Sequence, residues 1–184
     1  MDEPLDREIR ERAFAWLDPR WIVWEDDEVI AIDKPAGVPT QEARPGAADD
    51  LPHRVQRFLS ERDGVAEPYL GVHQRLDKET SGVVLYAKDP RANPMLAAQM
   101  VQHEIGKVYL ACVEGWRGGA RTLRDRIGPL RSGRVEVGAK AGKDAVTHVR
   151  VREQRGSRAL LEITIETGRT HQIRAQLAHA GAPP

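Results

Sequence analysis

The sequence predicts an α+β fold, a mixed and largely antiparallel central sheet with flanking helices. Three observations carry that expectation. Short β-rich runs recur along the chain and are closed by turn residues. Helical patterns fall between them without a regular βαβ beat, which argues against a doubly wound parallel sheet. The 184 residues hold no internal repeat, low-complexity tract or linker, so they fit one ordinary globular domain.

Residues 4–17 read as an amphipathic helix, with Leu5, Ile9, Ala13 and Trp16 near one face and Asp18-Pro19 as its stop. Trp21-Ile22-Val23-Trp24 and Val29-Ile30-Ala31-Ile32 flank an acidic turn and predict a hairpin. Two prolines and a glycine make Lys34–Pro39 a constrained loop, and residues 41–50 read as a polar loop. Leu51, Val55, Phe58 and Leu59 mark a helix that stops near Gly64. Gly82–Ala87 reads as a buried strand, and Asp89-Pro90 as the cap and first turn of a helix. Lys107–Val113 alternates as a strand with Lys107, Tyr109, Ala111 and Val113 on one face. Residues 146–151 and 159–167 predict paired strands joined through Gln154–Ser157. Residues 171–180 predict a helix ended by Gly181.

Composition excludes several classes. No apolar run approaches the roughly 20 residues a membrane helix needs, and the acidic start Met1–Asp6 lacks the pattern of a secretory signal. Cys112 is the single cysteine, which removes an internal disulfide and every Cys-x-x-Cys motif. A cytoplasmic monomer without a membrane partner is the expectation. The zero net charge hides a gradient: residues 1–70 hold 9 Lys+Arg against 17 Asp+Glu, and residues 117–184 hold 14 against 6. An Arg-rich half suits phosphate contacts and stacking on bases, although an ordinary solvated surface has the same composition.

The segment with the most chemistry is His73-Gln74-Arg75-Leu76-Asp77-Lys78-Glu79-Thr80-Ser81-Gly82, where a carboxylate follows an arginine and precedes a tight turn. Gly168-Arg169-Thr170-His171-Gln172-Ile173-Arg174 offers a second cluster of cations and donors. Read alone, Asp77 reads first as a structural cap of its turn. Arg169, His171 and Arg174 serve equally well as exposed residues at a strand-to-helix junction. No histidine pair has metal-ligand spacing, and Gly142-Lys143-Asp144 lacks the glycine and hydroxyl of a phosphate loop. No metal and no cofactor are expected.

Four segments taken in order change the balance. Asp33-Lys34-Pro35-Ala36-Gly37, Arg75–Gly82, Lys107-Val108-Tyr109 and Gly168–Arg174 resemble the signature segments of RluA-type pseudouridine synthases, and Gly142–Thr147 resembles the stretch before the last of them. The resemblance covers residues 20–184 and implies the pseudouridine synthase fold with a catalytic cleft, leaving 1–19 as an N-terminal helical extension. It implies that Asp77 is the catalytic aspartate, that Tyr109 stacks on the target base and assists its deprotonation, and that Arg174 pairs with the aspartate. By the same resemblance Arg75 fills the gap left by a flipped nucleotide, and Ile173 and Leu177 line the pocket. Arg169, His171 and Lys107 join them as substrate-binding residues, with ribosomal or transfer RNA as the partner. Two departures stand out. Gln74 separates His73 from Arg75 where such enzymes read His-Arg-Leu-Asp, and similar proteins continue for several tens of residues past Pro184, which implies a C-terminally truncated domain.

The implied chemistry accounts for the residue types. Isomerising uridine needs a nucleophile that forms and releases a covalent bond, and a carboxylate serves if an arginine keeps it ionised where water is excluded. Whether Asp77 attacks the ribose or the ring stays open. Two other readings are an RNA-binding module without catalysis and a nucleoside glycosidase. The first would not need Asp77 and Tyr109, and the second calls for another acid in the pocket.

Overall fold

The computed structural model describes residues 16–42, 46, 48–130 and 135–184. The chain divides into two compact units, Met1–Glu104 and Ile105–Pro184, each built on a four-stranded antiparallel sheet. The predicted α+β class, largely antiparallel, is therefore what the chain adopts.

In the first unit a single 3-10 turn at Pro19–Trp21 leads into the expected hairpin, β1 (Ile22–Glu25) and β2 (Val29–Lys34). Its acidic turn has a structural reason: the Asp26 carboxylate accepts from the N–H groups of Glu28 and Val29 at 2.8 and 2.7 Å. Helix α1 (Leu51–Asp63) follows, then β3 (Gly71–Val72), β4 (Gly82–Ala87) and helix α2 (Asn93–Val101), in sheet order β1-β2-β4-β3. Asp50 caps α1 by accepting from the His53 N–H at 3.0 Å, and Gly64 ends it in the left-handed region. Leu51, Val55 and Leu59 lie four residues apart on one helix face and join the cluster of Ile30, Ile32, Val84 and Tyr86. Fully burying each aliphatic side chain contributes about 1.5–3 kcal/mol, so this stripe anchors α1 to the sheet.

Three details differ from expectation. The helix drawn over residues 4–17 lies outside the described residues up to 15, and at its end Leu17, not Trp16, is the buried side chain. Helix α2 starts at Asn93, not beside Asp89, because the Arg91 N–H and side chain fold back onto the Asp89 carboxylate and close a separate turn. Pro94, not Pro90, is the proline in the first turn of the helix.

The second unit contains β5 (Val108–Glu114), β6 (Arg121–Ile127), β7 (Lys143–Arg155), β8 (Arg158–Ile165) and helix α3 (Gln172–His179), in sheet order β5-β8-β7-β6. β7 and β8 form the predicted hairpin, turning at Gly156-Ser157. Strand β5 alternates as expected. Tyr109, Ala111 and Val113 belong to the apolar cluster with Val149, Leu161, Ile163 and Leu177, while Val108 and Leu110 are exposed. Strand β6 escapes the sequence pattern because Asp125 stands between the buried Leu123 and Ile127 and breaks the apolar alternation. Among the described residues no helix is long and apolar enough to cross a membrane.

Candidate active site

Asp77 sits in a loop gripped through its main chain. Lys34 ends β2 fully buried, and its Nζ donates to the carbonyls of Pro35 (3.0 Å), Val38 (2.8 Å) and Lys78 (3.0 Å). Three acceptors use all three ammonium hydrogens. The Gly37 N–H donates to the same Lys78 carbonyl at 2.9 Å, from a φ of 87° that favours glycine. The Thr40 hydroxyl donates to the Leu76 carbonyl at 2.7 Å. The carbonyls on either side of Asp77 are thus held by one short segment, Lys34–Thr40. Burial lowers the Lys34 pKa, and the charges of Glu79 and Asp77 oppose that shift.

The turn itself is closed by the main chain: the Thr80 N–H donates to the Asp77 carbonyl at 3.0 Å. The turn has this main-chain closure in addition to whatever the carboxylate does. Arg75 is exposed, with its Nη1 donating to Gln41 Oε1 at 3.0 Å. His73, one position away from the histidine of similar enzymes, has its Nε2 2.6 Å from Asn93 Oδ1. Asn93 also packs against Gly71, where a Cβ would lie 2.0 Å from that oxygen. His73 therefore ties the start of the Asp77 loop to α2.

In the second unit Tyr109 is half-buried on β5, beside the apolar cluster that Ile173 also borders. Lys107 precedes the strand and is half-buried. Arg169 donates from Nε to the Asp144 carbonyl at 2.9 Å. His171 precedes α3 at φ 53°, ψ 25°, a left-handed conformation costing a non-glycine residue roughly 1–2 kcal/mol. Arg174 is exposed on the first turn of that helix. Leu177, expected to line a pocket, is instead fully buried in the core cluster, where it anchors α3 to the sheet.

Sequence reasoning missed what holds α3. Gln172 accepts from the Thr167 hydroxyl (2.8 Å) and the Arg169 N–H (3.0 Å), and donates to the Val146 carbonyl (3.1 Å) and Thr147 Oγ1 (2.9 Å). Gln176 accepts from the Thr147 hydroxyl at 2.6 Å and donates to Asp125 Oδ2 at 2.7 Å and the Ala145 carbonyl at 3.2 Å. Thr147, Gln172 and Gln176 are all buried, and this network seats the start of the helix on β7. A signal was available in the two glutamines four residues apart, on the helix face that also turns Leu177 inward.

Glu42, Asp50 and His53 form a histidine–carboxylate group at the start of α1. His53 Nδ1 lies 2.8 Å from Asp50 Oδ1 and Nε2 lies 3.6 Å from Glu42 Oε1, so both ring nitrogens face carboxylates.

Comparison with known proteins adds the family context. Residues 28–179 match the family described as RNA pseudouridylate synthase. A protein of Xanthomonas campestris named ribosomal large subunit pseudouridine synthase D is 38% identical over 167 residues, covering 90% of this chain and 50% of that protein. The protein of the same name from Pseudomonas aeruginosa is 35% identical over 164 residues, with 88% and 50% covered. The chain thus spans about half the length of these curated relatives. Among solved structures, human RNA pseudouridylate synthase domain containing 4 superimposes with a TM-score of 0.75 at 23% identity, over 97% of this chain and 70% of that one. Human RNA pseudouridylate synthase domain containing 1 gives 0.70 at 20% identity, over 88% and 65%.

Proposed function

This chain belongs to the RNA pseudouridylate synthase family, and from that premise we propose that it isomerises uridine to pseudouridine in ribosomal RNA. Relatives named for the large ribosomal subunit favour ribosomal over transfer RNA, and a cytoplasmic location is the one we propose with it. One observation carries the catalytic reading. The carbonyls flanking Asp77 are immobilised by a buried cation, a glycine N–H and a threonine hydroxyl. A nucleophile must be held in a productive geometry to act.

The proposed reaction breaks the bond from ribose C1′ to uracil N1 and forms one from C1′ to C5. The proton leaves C5 and N1 gains one, so the change is a net isomerisation. Asp77 is the proposed nucleophile, bonding transiently to the substrate. Tyr109 is proposed to stack on the flipped base and to assist loss of the C5 proton. Arg174 is proposed to keep the aspartate ionised, and Arg75 to fill the place the base vacates, since flipping costs a few kcal/mol. Arg169, His171, Lys107 and Ile173 are proposed to contact the RNA around the base.

The test is Asp77→Asn with a uridine-containing ribosomal RNA fragment. The expected outcome is no pseudouridine at any time point, with RNA affinity retained, because the amide keeps the shape and loses the charge. Product from the variant after deamidation is excluded would remove Asp77 from the mechanism. Free uracil from the unaltered chain would replace isomerisation with hydrolysis.

A further inference from the structure

We propose that the face of the second unit's sheet opposite α3, across β6 and β7, is a docking track for the phosphodiester backbone of the RNA; this rests on the RNA reading above. On β7 the side chains of Ala145, Thr147 and Val149 are buried, so the pleat turns His148 and Arg150 to the other face. On β6 the same alternation sets Leu123 and Ile127 inward and Thr122 and Arg124 outward. A groove of about 500 Å³ opens there, lined by Thr122, His148, Arg150 and Thr164 among others.

The unsatisfied charge on this face is cationic. Glu162 pairs with Arg152 at 2.8 Å, and Glu166 pairs with His148 at 2.6 Å. Arg126 donates to the Gly142 carbonyl at 3.1 and 2.8 Å. Among the described residues Arg124 and Arg150 form no hydrogen bond or ion pair with the protein. Arg124 is opposite Val146, and Arg150 lies four residues further along β7, about 13 Å away at strand spacing. Between them Thr122 Oγ1 and His148 Nδ1 lie 3.0 Å apart. The two uncommitted guanidiniums suit phosphate oxygens of one strand, with the Thr122–His148 pair, already bonded to each other and to Glu166, between them.

The face lacks what base recognition needs. The Phe, Tyr and Trp residues of 105–184 are Tyr109 and Trp116, and both belong with the apolar cluster on the other side of the sheet. Open guanidiniums without stacking rings beside them grip backbone and read no sequence. Its contribution is affinity and register, independent of which base is presented.

The experiment measures binding of two RNAs across a salt series, the ribosomal fragment and a uridine-free oligoadenylate, by the unaltered chain and by the R124A/R150A double variant. Binding of both RNAs should weaken alike in the variant. The slope of log affinity against log salt should shrink by about 1.4, roughly 0.7 for each phosphate of a single strand that an arginine no longer neutralises. R155A, at the hairpin tip and paired with Glu153 at 2.5 Å, should leave the slope unchanged. Isomerisation at saturating RNA should survive in the double variant. An unchanged slope, or weakening confined to the uridine-containing RNA, overturns the proposal. A chain that makes no pseudouridine yet shows the slope change would keep the track and lose the enzymatic reading; normal pseudouridine formation with an unchanged slope would do the reverse.

Discussion

The two units are opposites in charge and in how they hold their functional loops. Residues 1–104 carry 13 Lys+Arg against 21 Asp+Glu, and residues 105–184 carry 15 against 7. The acidic unit holds the Asp77 loop with a buried ammonium, Lys34, bonded to three carbonyls. The basic unit holds the start of α3 with neutral amides and hydroxyls, Gln172, Gln176 and Thr147. In each case the polar grip is opposite in character to the unit's surface excess or independent of it. A lone cation among carbonyls gives a rigid anchor on the main chain beside Asp77. Gln172, Gln176 and Thr147 bring no charge of their own to the helix start that carries Arg169 and Arg174, and Gln176 is anchored in part on the Asp125 carboxylate.

The largest effect should come from Lys34→Met. The apolar replacement leaves the Pro35 and Val38 carbonyls without this donor and the Lys78 carbonyl with the Gly37 N–H alone, and an orphaned buried acceptor costs about 1–3 kcal/mol. A drop of about 3 kcal/mol or more in urea unfolding is expected for the acidic unit, with activity abolished alongside. Lys34→Arg should not rescue it, because a planar guanidinium cannot point three hydrogens at this triangle of acceptors. Wild-type stability in either variant would dissolve the contrast between the units.

Gln176→Leu tests the other half. It keeps the side-chain volume but removes the acceptor for the Thr147 hydroxyl proton and the donor to the Ala145 carbonyl and Asp125 Oδ2, a cost of about 2 kcal/mol. The basic unit should unfold at lower urea while the acidic unit is unaffected, read by Trp116 fluorescence against that of Trp16, Trp21 and Trp24. If both units lose stability together, they do not behave as independent grips.

Glu25→Gln should have the smallest effect, and one that depends on pH. Glu25 is held below its ordinary pKa of 4.5, first by the hydrogen bond from Arg62 and also by Lys88. Arg62 reaches both of its oxygens at 2.8 Å, and Lys88 bonds to Oε1 as well. A carboxyl with a lowered folded-state pKa stabilises the protein above about 4.5 and ceases to do so as pH falls through the folded value. The pair is partly exposed, so about 1 kcal/mol is expected at about pH 7. The difference between wild type and variant should vanish in acid; a difference that persists at about pH 2 would mean that packing, not charge, is what Glu25 supplies.

Much of the fold was legible because it follows local rules. The β1–β2 hairpin, α1 with Gly64 at its end, β4, and the β7–β8 pair all announce themselves by period and turn chemistry. Strand β6 did not, since its inward Asp125 has an apolar pattern's position and a polar residue's chemistry, made tolerable by Gln176. The start of α2 was misplaced because two Asx-Pro pairs, Asp89-Pro90 and Asn93-Pro94, compete and the Arg91 side chain settles the choice.

For the candidate site, sequence alone determined the identities and order of the chemical groups: Asp77 after Arg75, Tyr109 on a strand, Arg169 and Arg174 around a helix start. Those depend on motif and local period, which a chain carries along its length. Only the tertiary structure decided that Lys34 is an anchor and not a surface cation, that Leu177 belongs to the core, and that Gln172 and Gln176 are buried. Each of the polar outcomes among these needs at least one partner 25 to 51 residues away in the chain, beside its local ones. A polar side chain is buried or exposed according to whether distant acceptors meet it, and no local pattern specifies that meeting.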